Sequence, residues 1–433
     1  MASSSEAYEA TARSRVIPGW QRWAGLGLVF LVMALSYIDR QVFTLFQDDI
    51  KAELSLSDGQ LGLLTGLAFA LFYAIAAFPI ARYADRGDRR LVIAASVAFW
   101  SVATIACGMA TSFWQMLAAR IGLAAGEAGA GPAANSLMTE TFPAHRRVLV
   151  IATILAASSV GLSGGLILSG WLSNYFDWRT VFFIVGFPGI VVGLLVWLFV
   201  AEPRRMNTVA AADMKTPLRF GEVMRTMMAS ASLRWVGLLL LTVPVAGFGF
   251  ILWGASFFRR VHAMPVDEVG FWLGGAMGIG LIISNLTAGF VGDRFGTENP
   301  RFNSWLAAFG LFAAFPFAMG FCFAADPYVA LACFIAVKFL MALHLGPIIA
   351  LCFAQVPVRM RAMMSATINL FIGVAGTGIG GTLGGFLSEV FQQGYGEESL
   401  RYALAVTSCG LLIGGFAALA AGRTAKILPD SLR

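Results

Sequence analysis

The sequence predicts an all-α membrane protein whose twelve transmembrane helices form two pseudo-symmetric six-helix bundles. Three observations carry that prediction: too few charges for a water-facing surface, apolar runs of bilayer length along the whole chain, and a charged motif that returns half a chain later. Of the 433 residues, 58% are hydrophobic and 12% charged, where soluble domains carry about 25% charged residues. Mean hydropathy is +0.77. The 36 Phe and 48 Gly suit a chain dissolved in lipid, with helices in close contact at small residues.

A bilayer core takes about 20 apolar residues per helix. Such runs fall at 24–46, 60–81, 91–110, 114–141, 148–174, 180–200, 235–258, 269–291, 302–324, 327–356, 362–388 and 402–422. Residues 201–234 interrupt the series with Pro203, Arg204, Arg205, Lys215, Pro217, Arg219 and Arg225. The expected organisation is a tail at 1–23, a first bundle at 24–200, a basic linker at 201–234, a second bundle at 235–422 and a tail at 423–433. Within the linker, Val223, Met224, Met227 and Met228 alternate with Arg219, Glu222 and Arg225 at helical spacing, which fits a helix on the inner membrane surface, a solvated loop being the alternative.

Lys and Arg divide twenty-two to five between alternate loop sides, with three more inside spans. By the positive-inside rule both termini and the linker are cytoplasmic, and the expected location is the cell inner membrane. The net charge of +6 is spread over short loop clusters and forms no basic face for nucleic acid. Cys107, Cys322, Cys333, Cys352 and Cys409 all lie in apolar runs without C-x-x-C spacing, so neither a disulfide framework nor a metal site is expected. Residues 1–22 contain Glu6 and Glu9 and read as a tail before an uncleaved first span.

After span two the chain reads Ala81-Arg82-Tyr83-Ala84-Asp85-Arg86-Gly87-Asp88-Arg89-Arg90; after span eight, 208 residues on, it reads Gly289-Phe290-Val291-Gly292-Asp293-Arg294-Phe295-Gly296. Entering span five, Pro143, Arg147, Ala152, Thr153 and Ile154 align with Pro357, Arg361, Ala366, Thr367 and Ile368 at a constant offset of 214. Gly164-Gly165 and Gly384-Gly385 occupy corresponding spans. Parallel repeats joined by a linker are the layout of an alternating-access carrier, with binding at the interface between halves.

The recurring G-x-x-x-D-R-x-G element resembles the signature of the major facilitator superfamily over essentially the whole chain. The first copy has Ala81 for the leading Gly, and the second has Thr297-Glu298 in place of the closing basic pair. Within that superfamily, Ser36-Tyr37-Ile38-Asp39-Arg40, Leu56-Ser57-Asp58 and Gly126-Glu127-Ala128 resemble the bacterial spinster branch. A Tyr-x-Asp-Arg element in span one also occurs in carriers of organic anions. The resemblance implies that Asp85, Arg86 and Arg90, with Asp293 and Arg294 as the second copy, hold the cytoplasmic ends of the bundles closed when the cavity faces outward. Span five reads Val160-Gly161-Leu162-Ser163-Gly164-Gly165 and lacks the Gly-Pro opening of antiporter signatures in the superfamily.

Ionisable residues inside spans are costly and face a cavity or a partner. Asp39 and Arg40 in span one, Arg120 and Glu127 in span four, and Lys338 in span ten qualify, with His344 beside them. At about 1.5 Å per residue, Asp39 and Arg120 are level, and Glu127 lies two turns deeper on the face of Arg120, within reach of Arg40. Glu127, Asp39 and Arg120 are the expected proton-coupling set, and Arg40, Glu127 and Lys338 the expected substrate contacts. A static Arg40–Glu127 salt bridge is the competing account. His344 is read as an interior hydrogen-bonder.

The expected function is proton-coupled secondary transport without a cofactor, by a monomer in contact with membrane lipids. The expected cargo is an amphiphile such as a lysophospholipid or a sphingosine-phosphate-like molecule; the alternatives are a small organic anion or drug and, distantly, an intramembrane enzyme. No Walker G-x-x-x-x-G-K-[ST] element is present, and no metal-ligand spacing or nucleophile–base pair stands out.

Overall fold

Apolar runs flanked by capping residues fold as the sequence predicts, and twelve spans cross the structure. The computed structural model describes residues 17–203, 220–295 and 300–425. The spans are Gly19–Leu54; Asp58–Thr65 continued by Leu67–Arg86; Arg89–Met109; Phe113–Thr141; Arg147–Ser173; Trp178–Phe199; Ala231–Val261; Val266–Phe295; Pro300–Phe323; Pro327–Phe353; Val358–Ile372, Gly373–Gly380 and Gly381–Tyr395; and Ser399–Thr424. Nine described segments are individually long and apolar enough to cross a membrane, and the last of them, Val358–Thr424, holds two spans. Phe113–Thr141, which carries Arg120 and Glu127, and Val266–Phe295 complete the twelve.

Side-chain oxygens start many of these helices. Ser57 forms a capping box with Gln60, and Asp88, Ser112, Asp177, Ser230 and Asp326 each accept from an orphan backbone N–H of the first turn. Each cap contributes about 1 kcal/mol.

Gln21 Nε2 donates to Phe199 O at 3.2 Å, and Ser232 Oγ donates to Ala421 O at 2.8 Å. Each half therefore closes on itself at the end that carries the termini, and the opposite end is called the far end below. There the repeat reappears as geometry. At the start of span six, Arg179 Nη1 donates to the carbonyls of Gly108 and Ala110, which close span three. Arg401, at the start of span twelve, does the same to Cys322 and Ala324, which close span nine. A cation on the orphan carbonyls of a helix C-terminus is favourable twice over, by hydrogen bonding and by the helix dipole.

At the far end the apolar core runs without interruption from Val42, Phe43 and Phe46 of span one to Phe250, Phe257 and Phe258 of span seven. Toward the termini the first half keeps a separate core around Leu26, Val29, Trp100, Leu123 and Ala134. The halves are joined at one end and parted toward the other.

Three local features depart from the sequence expectation. The linker helix Phe220–Ala229 buries Val223 and Met227 in the core of the second half, while Met228 is exposed, so its apolar stripe meets protein and is only partly free for lipid. Span two is broken at Gly66 (φ −103°, ψ −101°). Span eleven widens into a π-helix over Gly373–Gly380.

The topology has a direct check. In a cysteine-free background, Gln392→Cys at the far end should label with an impermeant maleimide in intact cells, and Gly221→Cys in the linker helix only after permeabilisation. Labelling of residue 221 from outside would overturn the orientation.

Candidate functional site

Span four brings Glu127 into the first half because its neighbours are small. A Cβ on Gly126 would come within 2.9 Å of Trp100, and one on Gly129 within 2.5 Å of Ser96 Oγ, so spans two and three close tightly around the carboxylate. Glu127 is 3% exposed. Its Oε2 accepts from Arg40 Nε at 2.8 Å and from Arg40 Nη2 as well, as the sequence depths allow. Its Oε1 has no hydrogen-bond partner among the described residues. The Arg40 guanidinium lies 4.6 Å from the Phe69 ring centre, 5.1 Å from Tyr37 and 5.8 Å from Tyr73. Aromatic faces stabilise a desolvated cation by about 0.5–2 kcal/mol each.

Asp39 and Arg120 are level, yet no ion pair joins them among the described residues. Arg120 is held instead over Phe43 at 4.4 Å and Phe69 at 5.4 Å, and its Nε donates to Leu64 O at 3.4 Å. Asp39 Oδ1 and Arg120 Nη1 lack hydrogen-bond partners, although the two residues are 2% and 3% exposed. Phe69 therefore touches both arginines and ties span two to the charges of spans one and four.

Lys338 lies away from this cluster. Its Nζ donates to Gly247 O of span seven at 2.9 Å and lies 5.4 Å from the Phe334 ring. His344 Nδ1 meets the Met341 carbonyl one turn earlier in its own helix. Of the motif residues, the side chains of Asp85, Arg86, Asp293 and Arg294 lie outside the described residues, and Arg90 Nη2 meets Asp88 Oδ2 at 3.4 Å. Arg89 beside them is 1% exposed; it binds Glu202 at the end of span six, and Glu140 and Ser136 of span four. Among the described residues no cluster of His, Cys, Asp and Glu is placed to hold a metal ion.

Lys51, Arg259 and Arg260 are among the five loop cations on the side away from the termini, and the structure gives each an acidic partner. Arg260 reaches across to Asp48 Oδ1 at 2.6 Å and Asp58 Oδ2 at 2.7 Å, and Arg259 to Asp49 Oδ2 at 2.7 Å. Asp58 also accepts from Lys51 at 2.7 Å and from Ser388 Oγ at 2.7 Å. Glu389 Oε2 accepts from Ser57 Oγ and from Gly59 N, both at 2.9 Å. Among the described residues, hydrogen bonds and ion pairs between the two halves gather toward the far end, which these contacts seal. The signal was in the sequence: acidic Asp48-Asp49 ends span one, and basic Arg259-Arg260 ends the corresponding span seven.

A vestibule of about 380 Å³, lined by Asp48, Lys51, Ser55, Arg260 and Glu397, sits over this seal. His262, in the loop beside it, is held below its usual pKa by burial and then by Arg401, so it is neutral at pH 7. Removing Arg260 leaves Asp48 and Asp58 facing each other with one cation fewer. Arg260→Ala should shift the equilibrium toward an open far end by about 2–3 kcal/mol, roughly 30- to 150-fold. Spin labels across the far end would report it as a longer distance; an unchanged distribution would show the seal to be apolar packing alone.

The profile of the Major Facilitator Superfamily matches residues 29–277. The chain superposes with a TM-score of 0.85 on the crystal structure of a bacterial homologue of the human lysosomal transporter Spinster in an inward-facing, unoccupied conformation, at 29% identity, covering 94% of this chain and 98% of that one. It is 29% identical over 383 residues, 88% of each chain, to an MFS-type efflux pump of Mycolicibacterium smegmatis. It is 28% identical over 190 residues, 44% of each chain, to a D-galactonate transporter of Escherichia coli. A profile over more than half the sequence, on twelve spans in two repeated bundles, makes this chain a multi-pass transporter of the Major Facilitator Superfamily, similar to its bacterial spinster branch.

Proposed function

We propose that the chain is a proton-coupled secondary transporter that works by alternating access and moves an amphiphile with an anionic head, such as a lysophospholipid or a sphingosine-phosphate-like molecule. The observation that supports this is the buried Arg40–Glu127 pair, with its aromatic collar and one unpartnered carboxylate oxygen. A proton on Glu127 removes the charge that holds Arg40, and the guanidinium becomes available to an anionic headgroup. Loss of the proton recaptures Arg40 and releases the cargo. Each species compensates the charge that the other abandons, so neither leaves an unpaired ion in hydrocarbon.

Asp39 and Arg120 complete the coupling set, and Lys338 offers a cation from the second half. Asp85, Arg86 and Arg90, with Asp293 and Arg294, close the cytoplasmic ends in the opposite state. The chain acts as a monomer in the inner membrane with both termini in the cytoplasm. An organic-anion cargo is the second reading. It is favoured by two arginines within one aromatic cluster, around Phe69, and by the partial likeness to a D-galactonate transporter.

Glu127→Gln keeps the shape of the side chain and cannot ionise. It should abolish gradient-driven uptake in a folded protein, and pH dependence that survives would move the coupling role to Asp39. The cargo class is tested by the affinity of the purified protein for a homologous series of single-chain phospholipids, corrected for micelle partitioning. Each buried CH₂ contributes about 0.8 kcal/mol, so affinity should rise roughly three- to fourfold per methylene until the cavity is full. A flat response with tight binding of a short sugar acid would select the anion reading. Arg40→Ala should weaken binding of either cargo.

A further inference from the structure

The break in span two is filled by a side chain from the other half. In an unbroken helix Leu67 N would donate to Leu63 O. It donates instead to Thr382 Oγ1 at 2.9 Å, and that hydroxyl in turn donates to Gly62 O at 3.1 Å. One hydroxyl from span eleven thus takes the place of the Leu63 carbonyl as acceptor for Leu67 N–H, while Gly66 N–H still donates to Gly62 O at 2.8 Å, at a depth where lipid offers no substitute. The fit depends on glycine at two places. A Cβ on Gly66 would meet Thr382 Oγ1 at 2.6 Å, and one on Gly62 would meet Gly381 O at 2.9 Å.

The break also touches the charged site. The Leu64 carbonyl, two residues before Gly66, accepts from Arg120 Nε, and Phe69, three residues after it, carries both Arg40 and Arg120 on its ring. On the span eleven side, Thr382 follows the π-helix Gly373–Gly380, a geometry that concentrates at functional positions. A few residues further on, Ser388 and Glu389 belong to the far-end seal.

We propose that Thr382 is a positioning residue: its hydroxyl holds span two broken at Gly66 only while the far end is sealed, and the broken span sets Leu64 and Phe69 against Arg120 and Arg40. When the halves part at the far end, Thr382 withdraws and Leu67 N–H returns to Leu63 O. Span two then runs on as one helix, and residues beyond Gly66 turn relative to the arginines. Seal and charged site are coupled through this backbone switch. The inference rests on the alternating-access part of the proposed function and needs neither the proton nor the lipid.

The test uses the full chain, purified without substrate, with spin labels at Ala52→Cys and Gln392→Cys in a cysteine-free background. Thr382→Val keeps the shape and removes both hydrogen bonds; Gly66→Ala blocks the insertion and suits a continuous helix; Thr382→Ser restores the hydroxyl. Thr382→Val and Gly66→Ala should each move the population to the longer distance at least tenfold, while Thr382→Ser should match the parent. In Thr382→Val, amide exchange of the peptide containing Leu67 should stay within about threefold of the parent, because the new helix supplies its acceptor. Parental distances in both variants, with Arg260→Ala lengthening them, would overturn the switch and leave alternating access standing. Should Arg260→Ala also leave them unchanged, the switch still falls and the seal is apolar packing alone. Faster exchange at Leu67 beyond that limit would mean the break persists unfilled, which also overturns the proposal. If Thr382→Val does not fold, the Gly66→Ala distances decide alone.

Discussion

Hydrocarbon offers no water to a charge or to an orphan backbone group, and the rest of the structure depends on that constraint. Each polar group at membrane depth must find a partner within the protein, at a cost of several kcal/mol if it does not. Arg40 finds Glu127 and three aromatic rings, and Arg120 finds two rings and a carbonyl. The broken backbone of span two finds Thr382. These partners come from different helices, so none can move without leaving another exposed. Moving any one of these helices would therefore require the pairings to be exchanged together.

The seal at the far end follows the same logic with more water available. Arg259, Arg260 and Lys51 face Asp48, Asp49 and Asp58 at 2.6–2.9 Å; Asp58 is fully buried, and around it lie pairs on partly exposed side chains. Such pairs are individually modest and can exchange partners for water when the halves separate. Close glycine contacts supply what the ion pairs cannot: a Cβ on Gly385 would lie 2.2 Å from Asp58 O, and Gly170 and Gly270 meet backbone to backbone. Close packing makes the sealed state stiff, and exchangeable charges allow it to open.

Much of this was legible in the sequence. Twelve spans followed from apolar runs of bilayer length, the repeat from Asp85 and Asp293, and the Arg40–Glu127 approach from counting rise per residue on two helices. Asp39 with Arg120 was not legible, because equal depth says nothing about facing. Arg120 is drawn instead to Phe43, Phe69 and the Leu64 carbonyl, which one-dimensional spacing cannot reveal. Gly164 and Gly373 lie in the glycine-rich stretches of spans five and eleven, yet a Cβ at either would meet nothing within 4 Å, whereas Gly161, Gly165, Gly384 and Gly385 sit tight against neighbouring helices. Composition marked the runs; only geometry separates the members that touch.

The irregular backbone is confined to one of two seams that the repeat makes equivalent. Span two meets span eleven at the far end, and their repeat partners, span eight and span five, also meet there. In the second seam Ser163 Oγ donates to Gly274 O at 2.7 Å, as Thr382 Oγ1 donates to Gly62 O. Val266–Phe295 and Arg147–Ser173 nevertheless run as unbroken α-helices, while span two breaks at Gly66 and span eleven is π-helical over eight residues. Duplication accounts for the shared hydroxyl-to-glycine contact and leaves the difference unexplained by topology. The difference lies on the side of the bundle where Leu64 and Phe69 touch Arg120 and Arg40. A pseudo-symmetric scaffold thus keeps one seam regular and interrupts the other beside its charged residues.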